Sequence, residues 1–431
     1  MRRSRTALLA AAVTVAAGVA GFVTATSPMA QAATTSRIPA HVFAPYFEAY
    51  NGDSLAGLSS QSGNKFLTLA FVQTPSPGSC TVYFNGDTSM PISSGTFGSD
   101  ITAIRAAGGD VIPSFGGYAA DNGGTEIADS CTSVDSIAAQ FEKVITTYDV
   151  TRIDLDIEDN SLTNTAGIDR RNKAIKKVED WAAANGRPVQ FTYTLPTTTA
   201  GLAESGLAVL RNAVSNGARI DIVNMMTFDY YDGATHNMAT DTQTSANGLV
   251  NQLKALYPSK TTAQLWAMVG IIEMIGVDDF GPAETFTIAN AQTVTNWAKT
   301  QGIAALSFWA LQRDNGGCPG GAAADNCSGV AQSTWQFSKI MQSFTSGSTS
   351  TTPPTTTPTT APTTKPTTTP TTKPPTTPPT TAPGTTTWAP YTAYSAGQVV
   401  TYGGKRYQCR QSHTSLPGWE PPTTPALWLP L

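Results

Sequence analysis

From residue 153 onward the chain reads Ile-Asp-Leu-Asp-Ile-Glu. Ile153, Leu155 and Ile157 share one parity, and Asp154, Asp156 and Glu158 share the other. A period of two belongs to a β-strand, whose successive side chains point to opposite faces. One face of this strand is wholly aliphatic and needs a layer to cover it. The other sets three carboxyls in a row, neighbours about 7 Å apart. Aspartate is depleted in strands and adjacent like charges repel, so a purely structural sheet avoids this pattern. The stretch 149–160 therefore calls for a fold that buries one face of a strand and opens the other into a site.

The surroundings supply such a fold. Strand-like runs at 41–50, 65–73, 110–115, 149–160, 189–195, 220–228, 265–274 and 303–311 alternate with helical stretches. The helical periodicity falls at 99–107, 135–148, 169–185, 207–216, 245–256, 291–301 and 332–344. Alternating strand and helix implies a parallel sheet. Eight such units between residues 36 and 345 predict an α/β fold of the (β/α)₈ TIM-barrel type. An open doubly wound sheet is the alternative, but its glycine-rich turn after the first strand is missing. In a barrel, chemistry gathers at the C-terminal strand ends, and Glu158 is expected as the last residue of the fourth strand.

Beyond residue 345 the composition changes. Residues 346–387 are almost entirely Thr and Pro and hold no large apolar side chain, so they are expected to be a disordered linker. In polyproline-II form such a tether reaches on the order of 100 Å. Residues 388–431 are mixed again and rich in aromatics. At the other end, Arg2, Arg3 and Arg5 precede an apolar run from Ala7 to Val23 and the small-residue site Ala30-Gln31-Ala32. That pattern predicts a signal peptide over 1–32 and a secreted, extracellular protein. No later stretch is apolar enough to span a bilayer. Losing the three arginines takes the formal charge from −4 to −7. Such acidity argues against nucleic acid and anionic membrane as partners. Export permits disulfides. Cys318 with Cys327, and Cys80 with Cys131, are the expected pairs, and Cys409 is the only cysteine of the C-terminal region.

Three carboxyls crowded on one face cannot all ionise freely, so at least one pKa rises. A carboxyl protonated at neutral pH is what glycosidic cleavage needs at the leaving oxygen. Glu158, outermost, is the natural general acid. Asp156 holds its proton or turns to the substrate, and Asp154, deepest, is expected to share a proton with Asp156. A magnesium or calcium cluster is the rival. No second acidic cluster supports it, and neither metal nor cofactor is expected. His41, His236 and His413 lack a Ser or Cys nucleophile beside them in the sequence, so a Ser-His-Asp enzyme gets little support.

Asp154-x-Asp156-x-Glu158 resembles the signature of family-18 glycoside hydrolases, the chitinase family, which typically read Asp-Gly-x-Asp-x-Asp-x-Glu. Ser114-Phe115-Gly116-Gly117, Met226-Thr227-Phe228-Asp229, Met274-Ile275-Gly276-Val277 and Ser307-Phe308-Trp309 resemble further family segments in the same order. The resemblance implies a retaining, substrate-assisted mechanism through an oxazolinium intermediate. Glu158 would be the acid and Asp156 the partner of the acetamido group, with Asp154 and Asp229 assisting. Trp309 would floor the sugar, and Met226, Ser114 and Gly116 would shape the site. Two features depart from the family. Thr151 and Arg152 replace the opening Asp-Gly, and Phe228 replaces a tyrosine, leaving Tyr230 or Tyr231 to supply the hydroxyl. Tyr46, Phe47 and Glu48 end the first strand and are expected to line a subsite; Glu273, ending the seventh, contacts sugar or else has a surface or core role.

The C-terminal region resembles the β-sheet chitin-binding modules of carbohydrate-binding families 5 and 12. Trp388, Tyr394-x-x-Gly397, Val400-x-Tyr402-x-Gly404-x-x-Tyr407 and Trp428 carry the likeness. These positions read as core, with Trp419 and then His413 as the candidates for stacking on sugar. Together the resemblances imply a secreted, monomeric, endo-acting chitinase whose partners are chitin and chitooligosaccharides. The alternatives are a binding protein on the same barrel that has lost catalysis, and an endo-β-N-acetylglucosaminidase.

Overall fold

The computed structural model describes residues 35–347 and, in the C-terminal region, 386–389, 392–395, 397–410, 413–415, 420–422 and 427–431. The expected signal and nearly all of the Thr/Pro tract lie outside the described residues.

Eight parallel strand positions close into a barrel. The first strand comes in two pieces, Val42–Phe43 and Tyr46–Glu48, on either side of Ala44 and Pro45. Proline has no N–H to give a ladder, and at this break the strand changes partner. Its first piece pairs with the eighth strand, Ala305–Trp309, and its second with the second strand, Phe66–Gln73. The ring is completed by Asp110–Gly116, Arg152–Asp156, Gln190–Thr198, Ile222–Met226 and Val269–Met274, each parallel to the next. The fourth strand is shorter than its alternation suggests. Asp149 is the left-handed C-cap of the preceding helix, and its carboxylate receives the Arg37 and Arg187 guanidiniums. Glu158 lies two residues past the strand, still in extended backbone.

Each strand is followed by a helix: Leu55–Ser62, Gly98–Ala106, Val134–Tyr148, Thr165–Ala184, Glu204–Ser215, Met238–Leu256, Ile288–Gln301 and Gln336–Met341. The first was not anticipated, because its eight residues carry almost no apolar stripe; Ser54 starts it and Gly63 stops it. The aliphatic side of the fourth strand faces this helical layer, with Ile153, Leu155 and Ile157 buried. Nearby, the Phe141 ring lies 4.8 Å from Phe115 and 5.6 Å from Phe191, edge to face. Emptying such a position (Phe141→Ala) costs about 3–5 kcal/mol.

Both expected disulfides are present, Cys80–Cys131 and Cys318–Cys327. A hairpin after the seventh strand, Gly276–Asp278 with Gly281–Phe286, was not expected. Its strands show no sustained alternation to announce it. No helix among the described residues is long and apolar enough to cross a membrane.

In the C-terminal region, Thr386–Thr387, Val399–Tyr402, Lys405–Cys409 and Trp428–Pro430 form one sheet. Its central hairpin turns at Gly403–Gly404, both at positive φ, which glycine adopts without steric penalty. The sheet thus takes in two residues that composition alone assigns to the tether. Trp388, Tyr394, Val400, Tyr407 and Trp428 lie in its core, as the resemblance implied; Cys409 and Leu427 join them, and Tyr402 packs against the cluster partly buried. Trp419 lies outside the described residues. His413 pairs through its backbone with Tyr394.

Candidate active site

The third strand ends in Gly116 and is followed by Gly117, at φ +99° and +86°. A Cβ on Gly116 would sit 2.0 Å from the Asp156 carbonyl oxygen, and one on Gly117 2.6 Å from the Phe71 ring. The glycines let the chain press against the end of the fourth strand, where the Gly117 N–H donates to the Asp156 carbonyl at 3.1 Å. Gly116 therefore shapes the mouth through its backbone. Parallel register sets Ser114 beside Asp154 and Gly116 beside Asp156.

Asp154 is buried and fully occupied. It accepts hydrogen bonds from the hydroxyls of Ser114 (2.6 Å), Thr194 (2.6 Å) and Tyr46 (2.8 Å). Burial raises its pKa, and these three donors pull it back. None of these bonds reaches Asp156, so the two aspartates interact through charge and not through the shared proton the sequence suggested. Asp156 is also buried, and its Oδ1 has no hydrogen-bond partner. Burial, then the charges of Glu158, Asp154 and Asp121, push its pKa well up. Glu158 is raised to about 7 by burial and by Asp159, Asp229 and Asp279, against a lowering contribution from the Tyr118 backbone. The row therefore grades outward, from an acid saturated with donors, through one with a vacant acceptor, to one poised near neutrality.

Trp309 ends the eighth strand with its indole stacked on Phe71 (5.6 Å, 12° between planes) and tilted against Tyr46 (6.0 Å). Met226 ends the sixth strand, almost buried, and its carbonyl accepts the Thr197 hydroxyl at 2.7 Å. Asp229 sits at positive φ and is raised to about 7, first by burial and then by Asp279. Its Oδ1 accepts from Phe280 N–H at 3.2 Å, which ties it to the hairpin.

Two expectations change here, and one open alternative, that of Glu273, is decided. Tyr46 and Ser114 do not line a subsite; with Tyr46 only 1 % exposed, both serve as donors beneath Asp154. Tyr230 does not offer its hydroxyl to the carboxylates. Its Oη is buried without a partner, with Glu273 as its strongest charged neighbour, and its ring packs 5.0 Å from His236. Glu273 itself is core, accepting from the Thr242 hydroxyl at 2.7 Å.

Other residues escaped the sequence reading. The buried carboxylate of Asp121 accepts the Glu158 backbone N–H. Behind it, Glu126 pairs with Arg171 at 2.7 Å, both buried. On the hairpin side, Asp278 accepts from Asp229 N–H (3.1 Å), and Glu284 from the N–H groups of Tyr230 (2.8 Å) and Tyr231 (3.2 Å). Their only trace in the sequence is an acid two residues from a glycine or proline, as in Asp121-Asn122-Gly123. That signal marks turns in general. Among the described residues, no group of three or more Asp, Glu, His or Cys is placed to hold a metal ion.

Residues 42–285 match the sequence family described as Glycosyl hydrolases family 18, and 387–429 match Carbohydrate-binding module family 5/12. The chain is 34% identical over 293 residues to the probable bifunctional chitinase/lysozyme of Escherichia coli (strain K12), covering 66% of this chain and 32% of that protein. It is 32% identical over 286 residues to endochitinase 11 of Metarhizium anisopliae, covering 64% of this chain and 53% of that one. It thus spans about a third and about half of these relatives' lengths. The fold is similar to the catalytic domain of a hyperthermophilic chitinase from Pyrococcus furiosus, with a TM-score of 0.63 and 30% identity over 73% of this chain and 98% of that chain.

Proposed function

The chain belongs to glycosyl hydrolases family 18, with a carbohydrate-binding module of family 5/12 at its C-terminal end, and on that premise we propose that it is a secreted, endo-acting chitinase. The observation that carries this reading is the pairing of Asp156, whose buried Oδ1 awaits a donor, with Glu158, whose carboxyl is poised near neutrality. A buried acceptor without a partner calls for an explanation, and a substrate acetamido N–H fits it.

The steps follow from that pair. The acetamido carbonyl oxygen of the bound N-acetylglucosamine attacks its own anomeric carbon. Glu158 gives its proton to the glycosidic oxygen, and the C–O bond to the leaving chain breaks. Asp156 holds the acetamido N–H and balances the charge of the oxazolinium ring. Glu158, now a carboxylate, takes a proton from water as that water opens the ring with net retention. Asp154, held by its three hydroxyl donors, stands behind Asp156 and raises its pKa through charge, and Trp309 offers its indole face to the C–H side of the sugar. Residues 1–32 act as the export signal, and the Thr/Pro tract tethers barrel to module on the insoluble polymer.

Incubation with colloidal chitin tests this. The parent protein releases soluble oligosaccharides, and Glu158→Gln lowers the rate by about 10²–10⁴. Deleting residues 346–431 weakens binding to the insoluble polymer and spares turnover of soluble oligomers. No release by the parent would sink the reading. A second reading has one observation behind it: Phe228 has no hydroxyl, and that of Tyr230 is buried. Chitin binding without product would favour a binding protein.

A further inference from the structure

We propose that His236 is a positioning residue for the reaction: as an imidazolium clamped between Asp232 and Asp241, it closes the loop after the sixth strand and so fixes Asp229 at the mouth. The proposal rests on the chitinase reading. No step above uses a histidine. The side chain of His236 is nevertheless only 6 % exposed, and both its ring nitrogens are engaged. Nδ1 lies 2.9 Å from Asp241 Oδ2, and Nε2 lies 2.9 Å from Asp232 Oδ1.

Those two contacts decide the protonation state. An ionised carboxylate only accepts hydrogen bonds, whereas a neutral imidazole has one N–H and one lone pair. A neutral ring would therefore set its lone pair against a negative oxygen on one side. Only the imidazolium, a donor at both nitrogens, satisfies both sides. The charged groups packed around the ring favour the same form. Asp232 comes from its own loop, Asp241 from the first turn of the helix Met238–Leu256, and Glu284 from the hairpin. Burial opposes the ring's charge, but these carboxylates outweigh it and raise the ring above the ordinary histidine value. Tyr230, with its ring 5.0 Å away, adds no charge, because burial and then Glu273 hold its hydroxyl protonated. With both nitrogens taken, the ring cannot act as base for a hydroxyl nucleophile and has no lone pair for a metal.

The clasp joins three elements. Loop 227–237 carries Asp229 near its start and His236 near its end. Through the ring, Asp232 is tied to Asp241 on the helix, and Asp232 also accepts the Ala234 N–H at 2.8 Å. The His236 backbone N–H donates to the Ala283 carbonyl of the hairpin at 2.9 Å. The neighbouring Glu284 holds the N–H groups of Tyr230 and Tyr231, and Asp278 holds that of Asp229. Asp229 is in turn one of the charges that keep Glu158 poised near neutrality. Both ends of the loop are thus strapped to one hairpin, and the acid feels the loop through Asp229. Loss of the ring proton turns one contact repulsive, frees a carboxylate and loosens the loop.

The test uses the full-length protein with isotope-labelled histidine rings, and soluble N-acetylglucosamine hexamer as substrate. His236→Gln identifies the ring's resonances by their loss. In the parent both ring nitrogens carry protons at pH 7, and the ring titrates above about 6.5, the ordinary value. At pH 5 the kcat/KM of the parent exceeds that of His236→Gln about tenfold, within the cost of a slightly misplaced reacting group. The ratio converges on unity above the ring's own pKa; the Glu158 titration is common to both proteins and divides out. The second variant is Asp232→Asn, at the more exposed of the two carboxylates. Its amide can donate to a neutral ring, so the ring's pKa falls and the ratio of its kcat/KM to the parent's rises with pH. A parent to His236→Gln ratio that is the same at every pH overturns the proposal, because a merely structural ring has no proton to lose. A bare ring nitrogen at pH 7 overturns it equally. Should His236→Gln fail to fold, the parent spectrum and Asp232→Asn still decide. Absence of hydrolysis by the parent at any pH overturns the chitinase reading itself, whatever the ring spectrum shows.

Discussion

On the fourth strand, Asp154 draws three hydroxyl donors while Asp156 keeps a buried oxygen without any. On the hairpin side of the mouth, Asp229, Asp278 and Glu284 receive backbone N–H groups from each other's loops. Both clusters are acid-rich, and burial raises pKa values in both. They differ in what their oxygens do. The hairpin acids satisfy amides that a turn would otherwise orphan, so their oxygens hold one loop against another. Among the strand acids Asp156 leaves an acceptor unfilled, which suits a group that must receive a substrate. A carboxylate count alone does not separate architecture from chemistry; the fate of each acceptor does.

The largest contrast comes from paired variants. Asp156→Asn is expected to lower kcat by about 10²–10³, the scale of losing one positioned electrostatic contact in a transition state. Its melting temperature stays level or rises, because no hydrogen bond at Oδ1 is lost. Glu284→Ala does the reverse. It strands two backbone N–H groups at about 1–3 kcal/mol each if they stay dry, so Tm falls, while kcat falls less than tenfold. Thermal melts and steady-state rates on the two proteins check this. The same pattern of losses in both would break the comparison.

A smaller effect appears on titration. Asp278 is raised to about 8 and Asp229 to about 7, well above carboxyl values in an unfolded chain. The folded state therefore holds protons that the unfolded state has shed. The stabilisation is complete below about pH 4 and is lost as pH rises through the folded values. The protein should melt higher at pH 5 than at pH 8, and Asp278→Asn should flatten that slope. Glu158, at about 7, gives activity the same sense, because the acid must be protonated and kcat/KM falls on the alkaline side.

Much of this was legible in the sequence, for reasons that differ by region. The barrel showed through because its strands are continuous apolar runs and its helices carry stripes, so eight repeats were visible even with ragged ends. The row Asp154, Asp156, Glu158 showed through because period two makes it one face. Asp121, Asp278 and Glu284 did not, because they reach the site from a six-residue helix and a short hairpin that carry no sustained period, and they meet only after folding. Tyr46 was assigned to the right place with the wrong partner. Sequence placed it at a strand end, and only the register revealed Asp154 across the barrel.

The smallest effect is expected at Tyr230, and it sharpens the comparison most closely. Sequence proximity to Asp229 gave this tyrosine the hydroxyl that Phe228 lacks. The fold instead sends its Oη into the wall beside Glu273, where burial and that carboxyl raise its pKa, and the neighbouring Tyr231 keeps the exposed ring. Removing a buried hydroxyl that has no partner sacrifices no hydrogen bond. Tyr230→Phe is therefore expected to change kcat by less than twofold and to leave Tm unchanged or slightly higher. Tyr231→Phe, whose ring meets Phe280 edge to face at 5.5 Å on the hairpin, is the informative partner. A loss of tenfold or more in Tyr230→Phe would mean that the loop after the sixth strand rearranges on binding to bring that hydroxyl round to Asp156. The hairpin acids would then be a latch on that movement and not a fixed wall.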